Sequence, residues 1–321
     1  MKEFVITPNE ANQRFDKYLK KRLPQASTGF LYKMLRKKNI ILNGKKAEGT
    51  ELLQKDDVVK FFFSDETFEK FSTDPDVLLR EFETLKKLPM AGIEIVYEDD
   101  DILVADKPYN LLSQKAIFND TSANEYLLGY LIRSGALSFE EYKTFKPSVC
   151  NRLDRNTTGL ILVGKTLKGL QYLSENLRNR SIQKFYRAIV SRPMSEDAYL
   201  SGYLIKDEKN NMVEVRKEKT EGSSAIETSY HVIRSFSNAT YLEIHLITGK
   251  THQIRAHLAS IGHPVVGDMK YGNAKTNQYF YEEYRISHQL LHAYRVEFPD
   301  GRIITSKEPK AFERCLHALD R

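Results

Sequence analysis

The sequence has little cysteine and no long apolar segment. Its 321 residues include two cysteines, Cys150 and Cys315, which do not form a Cys-x-x-Cys pair. Such usage is typical of reduced cytoplasmic proteins and argues against a disulfide framework or a thiolate metal site. No apolar run is long enough to span a bilayer, and the first residues, MKEFVI, lack the apolar core of a signal peptide. We therefore expect a cytoplasmic protein with no membrane partner.

Motifs for metal and nucleotide binding are also missing. His252, His257 and His263 suggest zinc, but no two of them have the spacing of a His-Glu-x-x-His helix. There is no Gly-x-x-x-x-Gly-Lys-Ser/Thr phosphate loop, and no glycine-rich cofactor loop follows a first strand. The sequence therefore predicts neither a metal nor a cofactor.

Positive charge is concentrated at the start of the chain. Residues 1–64 contain 14 Lys and Arg against 7 Asp and Glu. The whole chain contains 49 against 43, so residues 65–321 carry 35 against 36, a net charge of −1. This asymmetry indicates a polyanionic partner, and nucleic acid is favoured over a membrane because no amphipathic anchor accompanies the charge.

Two short helices followed by small strands are predicted for residues 1–64. The apolar spacing in 14–23 predicts a first helix, and Ser27 or Thr28 can cap a second one. The Asn-Gly pair at 43–44 predicts a tight hairpin between short strands. Basic residues lie mainly on one side of this arrangement.

The N-terminal pattern resembles the S4 RNA-binding domain. The resemblance rests on the runs 14–19, 36–45 and 55–59 and covers nearly the whole module. It implies that the following basic residues contact RNA phosphates: Arg14, Lys33, Arg36, Lys37 and Lys38. A solvated helix face is the alternative reading of the same residues.

The rest of the chain divides into a linker and a larger domain. Residues 65–91 are acidic, contain Pro75 and Pro89, and predict a linker with one short helix near 77–88. Beyond the linker, patterns of strand and helix alternate, which indicates a mixed domain over residues 92–321.

The most informative stretch is 149–163. A charged polar loop leads into the apolar run 160–163, which is typical of a buried strand. Asp154 lies between Arg152 and Arg155, and nearby cations favour the ionised form of a carboxyl group. An ionised carboxylate can act as a nucleophile or a base. A surface loop with a salt-bridged aspartate is the alternative.

A second candidate group follows an alternating strand at 241–247. A helix is predicted over 252–261, and the N-terminal end of a helix favours anions. Lys250, His252 and Arg255 are grouped at that end. This grouping indicates a contact with phosphate or carboxylate.

In order, these stretches resemble RluA-type pseudouridine synthases. The matching runs are 95–108, 151–160, 184–188, 248–258, 262–268 and 291–299. The family usually has His at the position of Asn151, and Asn can form hydrogen bonds but does not titrate near neutral pH. The resemblance implies an α+β fold. It consists of a small S4-like helix-strand domain at 1–64 and a catalytic domain at 92–321, in which an RNA cleft crosses a mixed, mostly antiparallel sheet.

The resemblance also implies a reaction, the isomerisation of specific uridines in structured RNA to pseudouridine on a flipped-out nucleotide. Large-subunit ribosomal RNA is the favoured substrate, and transfer RNA is the alternative. Asp154 would be the catalytic carboxylate, Tyr186 would stack on the extruded base, and Arg255 would pair with Asp154. The remaining residues assigned to substrate binding in the cleft are Arg152, Lys250 and His252.

Other protein classes fit the sequence less well. A non-catalytic RNA-binding protein would not need Asp154, Tyr186 and Arg255 together, and an RNA methyltransferase would need a glycine-rich cofactor loop. We therefore expect a monomeric enzyme that acts on RNA without a cofactor.

Overall fold

The N-terminal part of the chain consists of helices packed on a small sheet. The computed structural model describes residues 1–207, 210 and 212–320. Its first elements are β1 (Lys2–Val5), α1 (Phe15–Arg22), α2 (Thr28–Arg36), β2 (Ile40–Leu42), β3 (Lys45–Lys46), β4 (Val58–Phe61) and α3 (Asp65–Phe71). The four strands are antiparallel in the order β1-β4-β2-β3.

Local sequence signals explain most of these boundaries. The Ser27 hydroxyl caps α2 by accepting a hydrogen bond from the Phe30 N–H at 3.2 Å. Asn43 and Gly44 both have positive φ, 50° and 74°, as a tight hairpin between β2 and β3 requires. The sequence analysis predicted these elements but did not predict β1, a short edge strand.

The remaining elements surround a large mixed sheet. They are α4 (Pro75–Lys86), β5 (Glu94–Glu98), β6 (Ile102–Lys107), α5 (Ala123–Arg133), α6 (Phe139–Thr144), β7 (Ser148–Val149), β8 (Thr158–Gly164), α7 (Leu167–Arg178), β9 (Gln183–Ser191), β10 (Ala198–Asp207), β11 (Met212–Arg216), β12 (Ser224–Ser235), β13 (Ala239–Leu246), α8 (Gln253–Ser260), α9 (Ala274–Tyr284), β14 (Leu291–Glu297), β15 (Ile303–Thr305) and α10 (Lys310–Leu319).

The sheet has the order β11-β10-β12-β13-β9-β14-β8-β6-β5, with β7 beside β8 and β15 beside β14. Among the described strands only β8 and β14 are paired in parallel. The predicted α+β class with a mixed, mostly antiparallel sheet is therefore confirmed. Within the described ranges, no helix is long and apolar enough to cross a bilayer.

Residues 65–91 contain two helices, whereas the sequence predicted one. Phe68 of α3 packs into the hydrophobic core of the N-terminal sheet. Phe82 and Leu85 of α4 pack into the core beneath the large sheet. The chain therefore passes from the core of the N-terminal sheet to the core of the large sheet between Phe71, where α3 ends, and Pro75, where α4 begins.

Strand β8 fixes the point at which the preceding polar loop enters the sheet. All seven of its residues are buried. Gly159 has φ +110°, and a Cβ there would lie 2.3 Å from the carbonyl oxygen of Ala293 on β14. Only glycine allows the two backbones to approach this closely. The loop of Asp154 consequently enters the sheet at a fixed point.

We predict that Gly159→Ala destabilises the protein by more than about 2 kcal/mol, because it adds both an overlap and backbone strain. Urea unfolding measures the effect. Gly29→Ala is the matched control: Gly29 lies in α2, with no atom within 4 Å of an added Cβ, and alanine favours a helix. Equal unfolding midpoints for the two variants would contradict the close approach of β8 and β14.

Candidate active site

A basic cleft of about 1320 Å³ runs along the large sheet. Its wall includes the loop before β8, strand β9 and the segment that leads from β13 into α8. Among the described residues that line it, Asp154 is the only acidic one. The nine basic ones are Lys115, Arg152, Arg155, Arg178, Arg180, Lys184, Lys206, Lys250 and Arg255. A single carboxylate therefore lies in a strongly cationic groove.

The backbone around Asp154 is held by a buried hydroxyl. Ser113 Oγ accepts a hydrogen bond from the Leu153 N–H at 2.9 Å and donates one to the Leu153 carbonyl at 3.0 Å. One residue later, the Asp154 carbonyl accepts from the Thr157 N–H at 3.0 Å and closes a turn. These bonds fix the Asp154 loop from both sides.

Asn151 has a structural role at the head of this loop. Its Oδ1 accepts from the Leu162 N–H at 2.7 Å, and its Nδ2 donates to the Leu160 carbonyl at 3.2 Å. The amide thus acts like an extra backbone unit paired with β8. An amide donates and accepts at the same time without titrating, so it suits this position better than a proton-transfer role.

Arg255 joins two carboxylates. Its Nη1 donates to Asp154 Oδ2 at 2.8 Å, while Nε and Nη2 donate to the two oxygens of Asp268 at 2.7 and 2.8 Å. Arg255 is 5% exposed and Asp268 is 0% exposed. No described group forms a hydrogen bond with Asp154 Oδ1, so this oxygen is available to a substrate.

The Asp268 carboxylate is fixed by backbone donors as well as by Arg255. Its Oδ1 accepts from the N–H groups of Lys270 and Tyr271 at 2.9 and 3.1 Å. Burial alone would raise the pKa of Asp268, but the hydrogen bonds and charge of Arg255 and these N–H groups lower it below its usual range. Burial lowers the pKa of Arg255, and the two carboxylates more than offset this, so it stays charged.

His252 lies near the same oxygen of Asp154 that Arg255 binds. Its Nε2 is 3.9 Å from Asp154 Oδ2, and its Nδ1 is 3.0 Å from the hydroxyl of Tyr271. Burial lowers the pKa of His252 despite the opposing charge of Asp154, so the imidazole is neutral at neutral pH. Arg255 therefore supplies the positive charge that faces the carboxylate.

Two further buried side chains lie close enough to Asp154 for its charge to act on them. Tyr186 on β9 is 5% exposed, and burial together with the charge of Asp154 raises its pKa. The hydroxyl therefore stays protonated. Lys107 is completely buried, and burial lowers its pKa to about 7, although the charges of Asp154 and Asp106 oppose this. Its Nζ donates to three carbonyls, those of Pro108, Leu111 and Arg155.

The predicted substrate-binding residues lie in two different parts of the cleft. Lys250 and His252 line the cleft beside Arg255. Arg152 and Arg155 are exposed along its wall, and neither forms an ion pair with Asp154 in the part of the chain described. The sequence neighbours of Asp154 are therefore not its partners, because consecutive residues of a turn point in different directions.

The basic residues of the N-terminal module lie outside this cleft. Lys33, Arg36, Lys37 and Lys38 are exposed on α2 and at its end, and none of the four forms an ion pair with another described residue. Arg14 is paired with Asp16 at 2.8 Å. Four of the five predicted phosphate contacts thus have unpaired charges at the surface.

Sequence reasoning missed Asp268 and Lys107 as parts of the site. Both residues lie in the sequence runs that carry the family resemblance. Neither the residue type nor its sequence neighbours indicated a role in the site. Elsewhere in the described ranges, no group of three His, Cys, Asp or Glu residues has an arrangement that could hold a metal ion.

Known proteins resemble this chain closely enough to define its family. The RNA pseudouridylate synthase family matches residues 101–260. An uncharacterized RNA pseudouridine synthase of Mycoplasma genitalium is 30% identical over 96% of this chain and 91% of its own length. The ribosomal large subunit pseudouridine synthase C of Escherichia coli is 29% identical, over 99% of this chain and 97% of its own length.

The fold agrees with these matches. The solved structure of human RNA pseudouridylate synthase domain containing 4 superposes with a TM-score of 0.59 at 21% identity, covering 75% of this chain and 97% of that one. The chain belongs to the RNA pseudouridine synthase family, whose enzymes isomerise uridine in RNA to pseudouridine.

We predict that Asp268→Asn destabilises the protein by about 3–5 kcal/mol, because it leaves the Arg255 charge buried without its bidentate partner. Urea unfolding tests this. The control is Asp197→Asn, which alters an exposed pair with His231 and should leave the midpoint nearly unchanged. If the two variants unfold alike, Asp268 does not hold Arg255 in solution.

Proposed function

We propose that Asp154 is the catalytic carboxylate of uridine isomerisation in this chain. The observation that carries the proposal is the single anion in the cationic cleft, fixed through one oxygen by buried Arg255. Because the opposite oxygen is free of hydrogen bonds from the described residues, it can approach a uridine that has been turned out of the RNA. A carboxylate held in one orientation is poised to react as nucleophile or base.

The neighbouring side chains have complementary parts in this mechanism. The Tyr186 ring would stack on the extruded uracil, and Arg255 would keep Asp154 in one orientation. Asp154 then assists cleavage of the N1–C1′ bond, after which the base turns and rejoins the sugar through C5; C5 loses its proton and N1 gains one, so the product is an isomer of the substrate. The atoms of substrate and product are the same, so no cofactor takes part. Arg152, Lys250 and His252 would hold the RNA strand around the flipped nucleotide.

Ribosomal RNA is the proposed target. Several relatives with matches over most of their length are ribosomal large subunit pseudouridine synthase C proteins. A uridine in large-subunit ribosomal RNA is therefore the favoured substrate, and one in transfer RNA is the second candidate. Mapping pseudouridine in total RNA of a strain that lacks the gene distinguishes the two, because the missing modification identifies the target.

We predict that Asp154→Asn stays folded and binds RNA about as tightly as the parent, but forms no pseudouridine. The amide keeps the shape of the carboxylate and loses its nucleophilicity and basicity. Single-turnover conversion of in vitro transcribed large-subunit ribosomal RNA measures the loss, with thermal melting and an RNA titration on the same preparation. Conversion within about tenfold of the parent, a barrier change of about 1.4 kcal/mol, would remove Asp154 from the chemistry.

The N-terminal elements form the second part of the proposal, an S4-like module that binds RNA electrostatically. The module is taken to extend to Phe71, because α3 packs on its core. Residues 72–74 then connect it to α4, which belongs with the catalytic domain at 92–321. The unpaired cations of the N-terminal module lie on the exposed side of α2 and at its end, which suits contacts to phosphates.

We predict that changing Lys33, Arg36, Lys37 and Lys38 to Gln weakens RNA binding and flattens its salt dependence. Each lost phosphate contact lowers the slope of log affinity against log salt by about 0.7–0.9. Titrations at several salt concentrations measure this slope. The matched control changes four exposed lysines outside the module and the cleft lining, namely Lys86, Lys87, Lys275 and Lys310. Equal slopes for the two quadruple variants would refute RNA binding by the module.

A further inference from the structure

The loop between β6 and α5 presents two large apolar side chains to solvent. Ile117 is 67% exposed and Phe118 is 93% exposed. Single exposed apolar residues are common, but these two are adjacent and form the tip of one loop. The residues just before them, Gln114, Lys115 and Ala116, line the catalytic cleft. The exposed pair therefore lies on the rim of the site.

This tip has a defined conformation. One Asp120 oxygen, Oδ2, accepts from the N–H groups of Ala116 and Ile117, both at 3.0 Å. The Asp120 N–H in turn donates to the Ile117 carbonyl at 3.1 Å. A side-chain-closed turn of this kind holds the apolar pair outward. Phe118 is thus kept from folding back onto the protein surface.

The base of the loop is attached to the loop that carries Asp154. Ser113 exchanges two hydrogen bonds with the backbone of Leu153, and Gln114 Nε2 donates to the Val149 carbonyl at 2.9 Å. The position of the tip is therefore coupled to that of Asp154. A group bound at the tip would be placed at a fixed distance from the carboxylate.

The charge around the tip selects the kind of partner. Lys115 is exposed beside it, and Arg155 is close enough for its charge to act on Asp120. An exposed aromatic ring on a loop that carries cations, at the edge of a basic groove, is the arrangement that single-stranded nucleic acid binders use, with bases on rings and phosphates on cations. It suits RNA better than an apolar protein or lipid surface.

We propose that Phe118 stacks on an unpaired base of the substrate RNA that flanks the target uridine, with Ile117 supporting the contact. This inference rests on the proposed function, because it requires RNA in the cleft. It assigns to the loop tip a positioning role that is separate from the chemistry at Asp154. Stacking of this kind tolerates any base, so the tip sets the register of the strand and not its sequence.

The absence of tryptophan from the chain allows a direct test. Phe118→Trp creates a single fluorescent reporter at an exposed position, and stacking on a base should quench its emission when in vitro transcribed large-subunit ribosomal RNA is added. Tyr281→Trp is the matched control, because Tyr281 is 51% exposed on α9 and does not line the cleft. We expect quenching in the first variant only.

Affinity and activity give independent readouts. Phe118→Ala should raise the Kd for the same RNA on the order of tenfold, whereas Phe118→Tyr should stay close to the parent. Phe118→Leu keeps apolar bulk but loses the ring, so it should behave like the Ala variant. Thermal melting of all variants should be unchanged, because the side chain is exposed.

The outcomes separate the two proposals. If the parent forms pseudouridine in this RNA but the Phe118→Trp emission is not quenched, the stacking contact is refuted and the proposed function stands. If the Phe118→Trp emission instead changes with protein concentration alone, the tip binds a second copy of the chain, and the RNA contact is again refuted. If the parent forms no pseudouridine in this RNA, large-subunit ribosomal RNA is not the target, and the same titration with transfer RNA, the second candidate, decides the contact: an unquenched Phe118→Trp emission there refutes it.

Discussion

A buried arginine shared between two carboxylates is the interaction on which the active site depends. A guanidinium removed from water is costly unless each of its donors is satisfied. Asp268 supplies two acceptors, and it is itself held by backbone N–H groups, so the arginine has little freedom. Gly267, with φ +77°, makes the turn before Asp268, and a Cβ there would lie 2.1 Å from the His288 carbonyl oxygen. The Nη1 group of Arg255, which Asp268 does not bind, therefore reaches Asp154 at one geometry.

The opposite side of the site is built by uncharged hydrogen bonds. Ser113 and Asn151 bind backbone groups on either side of Asp154 and do not titrate near neutral pH, and the buried Lys107 adds a hydrogen bond to the Arg155 carbonyl. This division suits an RNA-binding surface. The charges that must attract phosphates, such as Arg152 and Arg155, remain at the wall of the cleft, and the neutral side chains of Ser113 and Asn151 hold the backbone around Asp154.

Much of the fold and of the site could be predicted from local patterns. The apolar run of β8, the helix start near His252 and the Asn-Gly hairpin each have a signal within a few residues. The helix α3 was missed because its single buried residue, Phe68, stands among acidic and exposed residues. Asp268 was missed because its pairing with Arg255 is tertiary and lies 13 residues along the chain. Arg152 and Arg155 are close to Asp154 in the sequence, but in the described structure neither forms an ion pair with it.

The charge of the cleft also bears on how the proposed catalysis must work. Isomerisation leaves every phosphate of the RNA in place, so the nine cations attract the product as strongly as the substrate. The phosphates are also unchanged in the transition state, so this binding energy lowers the substrate concentration needed for saturation but does not speed the chemical step. Rate acceleration must therefore come from the few groups that contact the base and sugar. Release of the modified RNA is opposed by the same cations that recruit it, which makes dissociation the natural limit on repeated turnover.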